Sequence, residues 1–121
     1  MRDFIISPRR HEQIVRMVPC MVSDRTPVTI HHCHGGSMKD GHWHVGMGQK
    51  QNPFLIIPLH ADYHVGDHGI DYGIGVKDWE YQYGTQAEHL LRLDSVLQNT
   101  FDYSMSIIEL AYSWQDIHAK G

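Results

Sequence analysis

Residues 28–32 read Val28-Thr29-Ile30-His31-His32, and residues 53–64 read PFLIIPLHADYH; these two stretches decide the fold. The first is β-branched until it ends on two histidines, the pattern of a short strand. Successive strand side chains point to opposite faces, so His31 and His32 would serve different sides. The second is a dense apolar segment suited to a buried strand, and His60, His64 and His68 follow it at intervals of four. That interval stacks side chains on one helical face, while Gly66 and Gly69 restrict the helix to about one or two turns. Strand, loop, strand and short helix make a ββα-like cradle within an α+β domain.

The flanking sequence reads as helices. Ser7-Pro8 is a start signal for a helix over residues 8–18, which Pro19 ends. Residues 33–53 are rich in glycine and histidine and read as a long irregular loop. A helix is expected over residues 76–83, stopped by Gly84, and Thr85 with Glu88 forms a capping box opening the next, whose apolar stripe is Leu90, Leu91, Leu93, Val96 and Leu97. Residues 99–103 break the pattern before a last helix carrying Met105, Ile107, Leu110, Ala111, Trp114 and Ile117. One domain is expected, made of a lead-in helix and turn (1–26), the cradle (27–75) and a helical part (76–121).

Composition sets the boundaries of function. A chain of 121 residues with 41% hydrophobic content can bury one core. No apolar run approaches the roughly 20 residues of a membrane span. With only Cys20 and Cys33, and no signal-peptide pattern at its start, the sequence reads as cytoplasmic. The net charge of −4 is uneven: residues 1–60 carry seven Lys/Arg against four Asp/Glu, and residues 61–121 carry three against ten. One face could meet a phosphate backbone; the whole surface could not. Arg9, Arg10, Lys39 and Lys50 are the candidates for such contacts.

Eight of the eleven histidines fall within residues 31–68, and this concentration carries the chemistry. Neutral imidazole binds transition metals, and an ordinary pKa near 6.5 makes a histidine left off the metal a usable base. His31 and His32 can divide those roles, with His64 and His68 adding ligands from the helical turn. His11, His89 and His118 lie outside the cluster and read as packing or surface side chains; Trp79, Tyr81 and Tyr83 read as core.

Several ordered blocks resemble the HNH (ββα-metal) endonuclease superfamily, and most closely the phage recombination-enhancement (Ref-type) nucleases that act with RecA. They are VPC at 18–20, IHH at 30–32, GMGQK at 46–50, IPLHADYH at 57–64 and WEYQYGT at 79–85. The resemblance implies His31 as first metal ligand, His32 as general base and His64 as the ligand opening the last element. It leaves the third ligand open between His68 and Asp71, and matches Asn52 to the motif's central polar residue. Implied with these are DNA cleavage by one divalent ion (Mg or Mn, with Zn also suited to the site), a bacterial host cytoplasm and a RecA filament as partner.

Related nucleases often hold a structural zinc with two CxxC pairs, but here Ser23 and Tyr63 stand where cysteines would be. Cys20, Cys33 and His60 are the remaining candidates for a second zinc. The alternatives are a zinc-stabilised DNA- or protein-binding module without catalysis, and a histidine-rich metal-handling protein.

Overall fold

Ser7 opens the first helix, α1 (Pro8–Val15), its hydroxyl accepting the Arg10 N–H at 3.1 Å while Pro8 occupies the first turn. The computed structural model describes residues 6–44 and 52–119. α1 ends earlier than residue 18: Met17 N–H donates to Ile14 O and Val18 N–H to Val15 O, tightening the chain into turns ahead of Pro19. A proline disfavours helical backbone at the residue before it, which explains the early exit.

Two strands follow, β1 (Thr29–His32) and β2 (Ile56–Leu59), paired antiparallel with Thr29 opposite Leu59 and His31 opposite Ile57. Between them the described part of the loop forms two short 3₁₀ turns, Gly36–Lys39 and Gly41–Trp43. Every residue of β2 is buried, packed by α1 and by the long helix over Gln86–Thr100. Pro58 is tolerated inside β2 because its own carbonyl turns away from β1 to accept the Met21 N–H at 3.1 Å; its missing donor therefore faces outward.

The remaining helices are α2 (Ala61–His64), α3 (Val76–Tyr83), α4 (Gln86–Thr100) and α5 (Ile107–Ala119). The capping box of α4 is present, with Thr85 and Glu88 each taking the other's backbone N–H. Ser106 and Glu109 make a second reciprocal pair at the start of α5. The architecture is α+β: among the described residues, five helices surround a two-stranded antiparallel sheet, with Ile56, Ile57, Leu59, Trp79, Leu93 and Leu97 fully enclosed. Tyr81 differs from its expected core role and is almost wholly exposed. No helix among the described residues is long and apolar enough to cross a membrane.

Two histidines are spent on packing. His89 donates from Nε2 to Tyr83 O at 2.9 Å and accepts from Arg92, which also reaches Met21 O. His11 is fully buried against Phe54, with Nδ1 2.8 Å from the Tyr103 hydroxyl. Burial lowers the His11 pKa from 6.5 to about 4. The unfolded chain therefore takes up this proton near pH 6.5 and the folded chain only near 4, so stability is complete above 6.5, falls through that window and levels off below it. The shift corresponds to roughly 3 kcal/mol. Urea denaturation should show a midpoint that drops between pH 7 and pH 4, and drops less in His11→Phe; parallel curves for the two proteins would contradict this assignment.

Candidate metal centre

Thr29 and His31 stand two apart on β1 and share a face, and each fixes one edge of the site. The Thr29 hydroxyl lies 2.8 Å from Leu59 O and 2.7 Å from His64 Nδ1. A carbonyl can only accept, so the single hydroxyl proton goes to Leu59 and His64 Nδ1 must be the donor to Thr29. In the neutral ring His64 Nε2 is then a bare acceptor.

The same reasoning settles His31, which is wholly buried. Gln86 accepts the His34 N–H on Oε1 at 3.0 Å and donates from Nε2 to His34 O at 2.8 Å. Its amide orientation is thereby fixed, and His31 Nε2, 2.9 Å from that Oε1, must donate. His31 Nδ1 is left bare. Burial is the main cause that holds the His31 pKa below its ordinary value, so the ring offers a lone pair at neutral pH.

Asp71 brings the third group. After the single turn of α2 the chain folds back, and Asp71 N–H donates to His64 O at 3.0 Å. Gly69 permits this return, since a Cβ there would lie 2.5 Å from His64 O. Asp71 Oδ2 sits 2.9 Å from His64 Nε2 and 3.3 Å from His31 Nδ1, and Oδ1 accepts from His34 Nε2 at 2.9 Å. Burial pushes the Asp71 pKa up, but the His34 hydrogen bond and the positive charge that the neighbouring imidazoles carry when protonated outweigh it and hold the carboxyl below its usual range. Ligand atoms of His31, His64 and Asp71 all lie within 4.8 Å of one another. With both rings neutral, three acceptors face one another with no donor among them, a place for a cation, and two imidazoles with a carboxylate suit a divalent transition metal.

Of the candidates read from sequence, His31 and His64 come together and His68 does not. His68 is exposed and outside the group, because the backbone turns at residues 66–69 where continued helix would have stacked it on His64. Asp71 takes that position. His32 lines an open groove with Ile30, His34, His64, Asp71 and Tyr72, and its Nδ1 is buried without a hydrogen-bond partner. Asn52 is not at the site: it is buried, donating to Ala111 O at 2.8 Å and accepting the Phe54 N–H at 3.0 Å, which is a structural clamp on α5.

Cys20, Cys33 and His60 form no metal-capable group among the described residues. Both cysteines are buried, burial pushes the Cys33 thiol far up, and His60 caps α2 by accepting the Asp62 N–H at 3.2 Å. Arg9, Arg10 and Lys39 are exposed, as phosphate contacts require, but none lines the groove. Lys50 and the GMGQK block lie outside the described residues. Thr29 and Gln86 went unrecognised in the sequence, where each carries only its local signal, a β-branched strand residue and a position just inside a capping box.

Titration calorimetry with Zn²⁺ or Mn²⁺ should give one strong site per chain. Asp71→Ala should weaken it at least tenfold, about 1.4 kcal/mol, whereas His68→Ala should leave it unchanged. The reverse ranking would put the centre elsewhere.

Comparison of the chain with protein-family models, with curated proteins and with solved structures found no match, so the role of this cluster rests on its own geometry and chemistry.

Proposed function

We propose that the chain is a metal-dependent DNA endonuclease that hydrolyses phosphodiester bonds from a small ββα-metal core. The observation that carries this reading is the convergence of the His31, His64 and Asp71 ligand atoms within 4.8 Å of one another, with His64 and Asp71 also lining the groove that His32 lines. His31 Nδ1, His64 Nε2 and a carboxylate oxygen of Asp71 would hold the ion. When bound, a divalent ion supplies positive charge against the charge developing on the phosphate and the leaving oxygen.

The protein's own contribution is position and a proton acceptor. Thr29 and Gln86 aim the two ligand nitrogens, and His34, donating to Oδ1, leaves Oδ2 facing them. His32 stands on the other face of β1 from His31. Its Nδ1 is buried without a partner among the described residues, so Nε2 is the nitrogen that would take a proton from a water in the groove. The groove carries no Lys or Arg among its lining residues, so phosphate contacts fall to cations outside it, with Arg9, Arg10 and Lys39 as candidates. A phage or prophage origin and assistance by a RecA filament belong to this reading through the resemblance, with the acidic helical half available for protein contacts.

One observation favours a second reading, a zinc-stabilised binding module: the His34 ring lies beside the site, its centroid 5.4 Å from that of His31, and on giving up its hydrogen bond to Asp71 it could supply a fourth ligand that closes the site. Plasmid nicking separates the two. An endonuclease nicks with Mg²⁺ or Mn²⁺, stops with EDTA, and loses at least about 100-fold in rate in His32→Ala while still binding metal. Nicking by His32→Ala at the wild-type rate would sink the assignment of the base; tight zinc binding with no nicking by the wild type would favour the module.

A further inference from the structure

The network that aims His31 does not stop at Gln86. Glu80, on α3, accepts the Gln86 side chain at 3.2 Å and its backbone N–H at 2.9 Å, and also takes the Ser37 N–H at 3.0 Å and hydroxyl at 2.6 Å. Gly36 allows the approach: its φ is +46°, and a Cβ there would collide with the Glu80 carboxylate. The start of α4, the end of α3 and the first 3₁₀ turn are thus tied around one amide. Turning that amide over would set its Nε2 against the His34 N–H and its Oε1 against both the His34 carbonyl and the Glu80 carboxylate, three mismatches at once.

We infer that Gln86, braced by Glu80, is a positioning residue that keeps the His31 proton on Nε2 and thereby sets how tightly the centre binds its cation. The reason lies in the alternative that Gln86 suppresses. A neutral His31 with its proton on Nδ1 would donate to Asp71 Oδ2, 3.3 Å away, closing an internal hydrogen bond across the space a cation needs. That bond would consume a ligand nitrogen and a ligand oxygen together. Gln86 removes the option by giving the proton a better acceptor on the far edge of the ring. The inference rests on the metal-centre reading, and the two can fail separately.

The test uses the full ¹⁵N-labelled chain in EDTA, with the His31 tautomer read from long-range ¹H–¹⁵N correlations, followed by calorimetric titration with Zn²⁺ and with Mn²⁺. Wild type should carry the proton on Nε2. Gln86→Met, of similar volume without the amide, should shift His31 toward the Nδ1 tautomer and weaken both ions about 10- to 100-fold, with thermal unfolding in EDTA verifying its fold. Wild-type His31 protonated on Nδ1 overturns the inference without any variant. So does a folded Gln86→Met protein with wild-type tautomer and affinity, which leaves the metal centre standing. A wild-type chain that binds neither ion overturns the metal centre and the inference together.

Discussion

The site depends on one electrostatic arrangement: the Asp71 carboxylate held against the inner edges of two imidazoles. With both rings neutral these edges are acceptors at 2.9 and 3.3 Å from the carboxylate, and such a contact needs positive charge between its members. Hydrogen bonding on the outer edges, through Thr29 to Leu59 O and through the Gln86 amide, determines which nitrogen of each neutral ring carries the proton. A cation bound there would meet ligands whose orientation these hydrogen bonds already set.

Each outer partner comes from a different part of the chain. Thr29 shares the strand with His31, His64 ends the single turn of α2, Asp71 lies on the return that Gly69 makes possible, and Gln86 opens α4. The capping box at Thr85 therefore does more than start a helix; it sets the register that places Gln86 under His31. His34, next to the strand, steadies the free oxygen of Asp71.

Much of the frame was legible in the sequence because the signals were local. Ser7-Pro8, the Thr85–Glu88 box and the β-branched run before His31 each act over a few residues, and the structure follows them. The pair His31 and His64 was legible for the same reason, one closing a strand and the other lying just beyond the next. His68 misled because spacing of four carries meaning only if the helix continues, and glycines at 66 and 69 turn the backbone away first. Asn52 misled because its position before β2 suits a motif residue and an Asx-type clamp equally well. Gln86 and Glu80 could not have been read, since their role is set by tertiary packing between segments some fifty residues apart in sequence.

Pro58 has a consequence beyond β2. Among the described residues the sheet has two strands, and an outer strand edge is a template on which another chain can add. On the β2 side that template is broken at Pro58, since the proline offers no donor and its carbonyl is already occupied by Met21. The residue that interrupts the pattern of the strand thus also guards its outer edge against continuation by another chain.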